Sequence, residues 1–325
     1  MTRRARDRHR RRLRRPARAT RVLAVVGLLA GLLGGCAPVA IAGLTIPTTA
    51  PGGLPEQIPA TLTRPDGPGP FPAVVIMHDC SGLGPRSSGA PGRWAQELAG
   101  RGYVTPVPDS FTTRGHADGV CVDPAQSRED VSPARRVHDA LAALAYVRTL
   151  SYVAGQRVGL MGGSHGGSTT LATMALGGGT PRDGGLGGSP REAAPRDGAG
   201  FTAAVALYPS CTPGRRGWRP DPSGVFRTAA PVLILIGDRD DWTPAPPCVK
   251  LAEDARQAGQ PVSIKVYPGA HHSFDSDRPV RFLAARVNPN APGGRGATTG
   301  GDPRAWEDGI RQVVAFFAHH LKESP

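Results

Sequence analysis

Six short apolar runs separated by stretches of helical periodicity constrain this chain more than any other feature. They occupy residues 73–77, 103–107, 158–161, 203–207, 232–236 and 262–266. The runs are continuous rather than alternating, as strands are when helices cover both faces of a sheet. Helical patterns fall at 94–100, 133–150, 168–176, 249–258 and 305–321. The second places Val137, Leu141, Leu144 and Val147 at three- and four-residue spacing, which is one face of a helix. This alternation predicts an α/β fold: a doubly wound, mostly parallel sheet with helices on both faces.

The pattern begins near Pro59 and runs to the end of the 325-residue chain, so one α/β domain over 59–325 is expected. Two segments interrupt it. Residues 177–200 hold nine glycines in 24 positions without apolar periodicity, and 288–302 are similar. Both read as flexible surface insertions. Residues 36–58, rich in Pro, Thr, Ala and Gly, read as a flexible tether.

A net charge of +13 suggests a nucleic-acid partner until its distribution is considered. Residues 1–35 carry eleven Arg and one Asp, which leaves only +3 for the rest. No basic stripe with interleaved aromatics remains to follow a phosphate backbone, so no nucleic-acid partner is expected. The basic stretch 3–21 is instead followed by twelve apolar or small residues, 22–33, too few for the roughly 20 that span a bilayer. Residues 1–35 thus read as a signal peptide. Leu33-Gly34-Gly35-Cys36 resembles the bacterial lipobox, in which the cysteine sulfur carries diacylglycerol. The expectation is export to the cell envelope, with a membrane partner engaged through lipid on Cys36. Arg3-Arg4 lacks the apolar pair of a twin-arginine signal.

Four cysteines remain: Cys80, Cys121, Cys211 and Cys248. An even number in an exported protein favours disulfides, with three pairings open. No spacing suits a metal.

The chemistry-bearing motif is Gly162-Gly163-Ser164-His165-Gly166-Gly167, which follows the run at 157–161 and opens a helix. A G-x-S-x-G string arises easily in a chain with 44 Gly, but between strand and helix it is specific. Ser164 would stand on a sharp turn whose glycines remove clashing Cβ atoms, with helix amides facing the reacting carbonyl. A serine hydroxyl needs a base oriented by a carboxylate, and on such a scaffold the order is Ser, acid, His. Asp238, Asp240 and Asp241 follow the run at 232–236. Asp240 lies three residues after Gly237 and four before Pro244, the spacing widespread in α/β-hydrolases. His271 and His272 follow the last strand, and His272, before Ser273 and Phe274, fits that loop better. His116, His138, His319 and His320 have no strand-end placement and read as solvated or packing residues.

At these residues the chain resembles the dienelactone hydrolase family of α/β-hydrolases, from about 59 to 321. The likeness extends to residues 62–65 with 72–75, His78-Asp79-Cys80-Ser81-Gly82-Leu83, Asp109-Ser110-Phe111 and Tyr267-Pro268-Gly269. It implies an α/β-hydrolase fold and cofactor-free cleavage of carboxylic esters or lactones through an acyl-enzyme on Ser164. The implied oxyanion hole uses the amides of His165 and Cys80, with His78 structural. The dienelactone-cleaving members use cysteine where this chain has Ser164, so the resemblance speaks for scaffold and acyl chemistry rather than for dienelactone. No motif places the arginines with which they hold the substrate carboxylate, and Arg114 is the candidate. In the implied fold, Cys80 and Cys121 follow neighbouring strands, as do Cys211 and Cys248, which pairs Cys80–Cys121 and Cys211–Cys248. The rival readings are a peptidase or acyltransferase on the same three residues and a non-catalytic ligand-binding lipoprotein.

Overall fold

The computed structural model describes residues 38–50, 53–123, 129–176, 200–214 and 217–322. Residues 1–35, read above as a signal peptide, Cys36 and residues 177–199 lie outside the described residues.

Strand β1 (Val39–Thr49) pairs antiparallel with β2 (Pro55–Arg64). Five more strands are parallel: β3 (Phe71–Met77), β5 (Val153–Gly163), β6 (Ala203–Leu207), β7 (Val232–Gly237) and β8 (Val262–Tyr267), in the order β3-β5-β6-β7-β8. Between the two groups lies β4 (Thr105–Pro108), antiparallel to β2. A bridge from Val104 to Ala73 continues the pairing into β3, with Val74 N donating to Val104 O at 2.8 Å. The expected parallel sheet is therefore present and carries an antiparallel flank. The side chains of β6 and β7 are buried along their whole length, which is why their sequences are continuous rather than alternating.

Two expectations need correction. Residues 39–49 and 55–58 are not tether: they form β1 and the start of β2, where Ile46 and Ile58 are fully buried. Thr, Val and Ile alternating with small residues suit a half-buried strand, and this pattern outweighs the Pro and Gly content. Nor is 288–302 a loose insertion. Strand β9 (Arg281–Val287) pairs antiparallel with β10 (Arg295–Thr299), and Asn288 is buried, its Nδ2 donating to the carbonyls of Asp241 and Gly296 at 2.9 and 2.7 Å.

Among the described residues, five helices cover the sheet: α1 (Ala90–Ala99), α2 (Val137–Arg148), α3 (His165–Met174), α4 (Ala245–Gln257) and α5 (Pro303–Leu321). Their ends follow local chemistry. Proline in the first turn opens α1, α4 and α5, where its missing N–H costs no helical bond. Asp302 caps α5 by accepting from the amides of Arg304 and Ala305, both at 2.9 Å. Helix α5 buries Val313, Phe317 and Leu321 at four-residue spacing, each large side chain contributing about 1.5–3 kcal/mol.

The parallel register places the site. Met77 pairs with Gly162, Gly163 with Leu207, Leu207 with Leu235, and Gly237 with Tyr267. Five strands thus end level, and the residues that follow them emerge at one carboxyl edge, where open α/β sheets build their sites.

Candidate active site

Ser164 caps the junction of β5 and α3 with φ 54° and ψ −115°, a conformation non-glycine residues rarely adopt. The turn is held from outside. Ser164 N donates to Leu207 O at 2.9 Å, and a Cβ on Gly162 would lie 2.7 Å from Met77 O. A Cβ on Gly166 would collide with the same carbonyl. Glycine at these two positions lets the elbow press onto the end of β3.

The structure brings Ser164, His272 and Asp240 into one chain of hydrogen bonds. Ser164 Oγ donates to His272 Nε2 at 2.9 Å, and His272 Nδ1 donates to Asp240 Oδ2 at 2.8 Å. His272 is 1% and Asp240 4% exposed, so the pair is shielded from water while the serine opens to a cavity. Asp240 Oδ1 accepts from the amides of Trp242 and Thr243 at 2.9 and 2.8 Å, an Asx turn that fixes the carboxylate. The neighbouring candidates face elsewhere. Asp241 Oδ1 accepts from Thr298 N, and Asp238 Oδ1 accepts from Gly269 N. His271 Nδ1 donates to the carbonyl of Arg239.

Sequence reasoning missed Thr243. Its hydroxyl lies 2.9 Å from Asp240 Oδ2, 3.0 Å from His272 Nδ1 and 3.0 Å from the carbonyl of Tyr208. The spacing of Asp and Thr three residues apart, an Asx-turn pattern, was the available signal. The hairpin β9–β10 was missed as well, and it holds both loops. Thr299 bridges His272, whose carbonyl accepts from Gly300 N at 3.0 Å. Trp242 packs its ring 4.8 Å from that of His272 and donates Nε1 to the carbonyl of Val287 at 2.9 Å.

Across from the serine, His78 is fully buried. Its Nδ1 donates to the carbonyl of Asp79 at 2.8 Å and its Nε2 accepts from Ser110 N at 3.1 Å. Burial above all, then the charge of Arg136, lowers its pKa, so it stays neutral and holds the loop carrying Cys80. Cys80 is bonded to Cys121 and Cys211 to Cys248, with Cα separations of 5.0 and 4.9 Å. The first bond packs with Phe111, Val120 and Val131 in a small apolar cluster beside the serine. The Cys80 amide makes no intramolecular hydrogen bond among the described residues. His165, first residue of α3, accepts at Nδ1 from the buried guanidinium of Arg136 at 2.8 Å.

Arg114 does not reach the cavities at Ser164. Its side chain, 6% exposed, pairs with Asp139 (2.7 and 2.8 Å) and Glu56 (2.9 and 2.7 Å), joining β2 to α2. Glu56 belongs to the segment read as tether, so the sequence offered no partner for Arg114. The arginines that do line the site are Arg86, Arg278, Arg281 and Arg286. Among the described residues, no group of three or more His, Cys, Asp or Glu could hold a metal ion.

A 235-residue stretch is 26% identical to a Bradyrhizobium protein described as a probable 2-oxo-3-(5-oxofuran-2-ylidene)propanoate lactonase, spanning 70% of this chain and 86% of that one. Among solved structures, a dienelactone hydrolase-like promiscuous phosphotriesterase from metagenomic libraries superposes with a TM-score of 0.59 at 19% identity, covering 88% of this chain and 100% of that one. Thermogutta terrifontis esterase 2, phosphorylated by paraoxon, gives 0.57 at 18% identity over 90% and 97%. At those identities the two structures speak for the α/β-hydrolase fold alone. The model of the dienelactone hydrolase family matches residues 58–180 and 187–321, nearly the whole described domain, and the chain belongs to that family.

Proposed function

We propose that the protein hydrolyses carboxylic esters or lactones through an acyl-enzyme on Ser164. The observation that carries the reading is the chain of bonds from Ser164 Oγ through His272 to Asp240, at 2.9 and 2.8 Å. Asp240, accepting from Nδ1–H, fixes the tautomer in which Nε2 is free to take the serine proton, and stabilises the imidazolium that results. The oxyanion is met by the amides of Cys80 and His165, the latter at the positive end of α3. His272 then returns its proton to the leaving oxygen and activates the water that releases the acid. The Bradyrhizobium relative's description favours including lactones.

The test is turnover of p-nitrophenyl esters of graded chain length and of simple lactones, with mass spectrometry of the quenched enzyme. An acyl adduct on the peptide containing Ser164 is expected. Turnover with the adduct elsewhere contradicts the assignment.

We further propose that the chain is exported and anchored through lipid on Cys36, supported by the basic, apolar and Leu-Gly-Gly-Cys order of residues 1–36. Cys36→Ser should leave precursor unprocessed and unlipidated. The same mature mass with and without the substitution contradicts the anchor.

A further inference from the structure

The segment expected to be a tether is a strand, and this decides how the domain meets a membrane. Strand β1 begins at Val39. Two peptide links join Cys36 to Pro38, where the described chain begins, so their Cα atoms lie within about 7 Å of each other. Lipid on Cys36 is then attached to the domain without slack, and the position of Val39 sets which face it holds down.

Strand pairing locates Val39. It is the partner of Arg64 at the end of β2, and Thr63, one residue earlier, pairs with Thr105 of β4. Arg64 is thus level with Val104, which bridges Ala73 of β3, and Ala73 pairs with Val158 of β5. Val39 and Val158 therefore stand on one row across five strands. Ser164 lies six residues beyond Val158, about 20 Å further along the strand direction at roughly 3.3 Å per residue. The link to Cys36 leaves the amino edge of the sheet, and Ser164 opens at the carboxyl edge.

The amino edge has the charge that a plane of anionic headgroups attracts. Arg64, Arg101, Arg148, Arg157 and Lys322 surround the row. Arg157 adjoins Val158, and Lys322, at the end of α5, donates Nζ to the carbonyl of Arg101 at 2.7 Å. Burial first, then the charge of Arg157, lowers the pKa of Lys322, as expected of neighbouring cations. Arg148 donates to the carbonyls of Gly155 and Gly200 at 2.8 and 3.0 Å. The acids beside them are already engaged: Glu97 pairs with Arg101 at 2.5 Å, and Asp66 accepts from Gly67 N at 2.9 Å. Val39 is 52% exposed, an apolar side chain next to the link. Basic residues within a Debye length of an anionic leaflet are drawn to it.

Resting on the lipid anchor proposed above, we propose that the amino edge is the membrane-facing surface of the domain. It docks on anionic phospholipid headgroups, held by the short link to Cys36 and by its cationic rim. Ser164 then opens into water on the far side, about 20 Å above that plane.

The test uses the lipidated protein in phosphatidylcholine vesicles, with and without phosphatidylglycerol, that carry a nitroxide on the headgroup as a short-range quencher. A dye is placed on Gln156→Cys or on Arg239→Cys, exposed positions at the amino and carboxyl edges, after melting curves show that each variant folds. Quenching at 156 should exceed that at 239 by at least about threefold, given a separation of about 20 Å along the strands. Inserting about 20 Gly and Ser residues after Ala37, a coil of about 25 Å, should erase the difference on phosphatidylcholine and leave part of it where phosphatidylglycerol is present. Arg157→Glu with Lys322→Glu, or added salt, should remove that remainder. Equal quenching at the two positions, or stronger quenching at 239, overturns this proposal alone, and a remainder unchanged by the double substitution overturns the cationic rim. A mature protein whose Cys36 carries no acyl mass overturns the anchor with it.

Discussion

The hydroxyl of Tyr208 donates to Asp275 Oδ1 at 2.7 Å, and Trp94 Nε1 donates to the other oxygen at 2.8 Å. The same tyrosine ring lies edge-on to His272, with centroids 4.8 Å apart, and its hydroxyl would sit 2.5 Å from a Cβ on Gly163, the residue before Ser164. Tyr208 therefore wedges the serine turn and the histidine loop apart at a fixed spacing, and Asp275 holds the wedge.

Burial raises the pKa of Asp275, while the bonds from Tyr208 and Trp94 act the other way. A carboxyl raised in the folded state subtracts stability as pH climbs from its ordinary value through the raised one. Tyr208→Phe keeps the ring but removes a donor to the charged form, so it raises that pKa further. Chemical denaturation should show a deficit of about 1–3 kcal/mol at neutral pH, shrinking toward about pH 4. Equal deficits at both pH values contradict a charged Asp275 held by Tyr208.

Thr243→Val should lower kcat about fivefold with KM unchanged, as for loss of one neutral hydrogen bond of about 1 kcal/mol, and Thr243→Ser should restore it. Its backbone bond to Asp240 survives either change. Asp240→Asn should be far more severe, about 10⁴-fold, because the amide favours the wrong imidazole tautomer. Asp241→Asn should act mainly on stability, since Asp241 faces the β9–β10 hairpin. Steady-state kinetics of the four variants checks the ranking.

Removing Cys80–Cys121 and Cys211–Cys248 separately should cost each variant about 2–4 kcal/mol, since the bridged residues are 41 and 37 apart in sequence. Activity should separate them. The Cys80 pair braces the loop that carries the proposed oxyanion amide, so replacing both cysteines by Ala should depress kcat more, at temperatures where both variants remain folded. Equal effects on kcat contradict a role for the Cys80 amide.

Much of this was legible in the chain because its causes are local. Buried parallel strands need unbroken apolar runs, and the glycines around Ser164 answer a steric demand that the sequence states outright. Asp240 and His272 were separable from Asp241 and His271 by their offsets from Gly237 and Phe274. What stayed hidden depends on distant partners. Ion pairing of Arg114 with Glu56 requires knowing that residues 55–64 form a strand, which the Pro and Gly around them obscured. Residues 288–302, which hold the turn and β10, read as an insertion, and β9 before them has no fully buried side chain to mark it as a strand. The hairpin's contribution appears only through bonds to His272, Trp242 and Asp241.

Ser164→Ala tests the central claim most directly. The residue sits on a turn and adds little to the core, so the variant should fold, with an unchanged melting temperature. A fluorophosphonate probe should label the wild-type protein at Ser164 and leave the variant unlabelled, and kcat on p-nitrophenyl butyrate should fall by at least about 10²-fold. A folded variant that keeps more than about a tenth of wild-type kcat, where even one general-base partnership is worth more, or that still takes the label, contradicts the account.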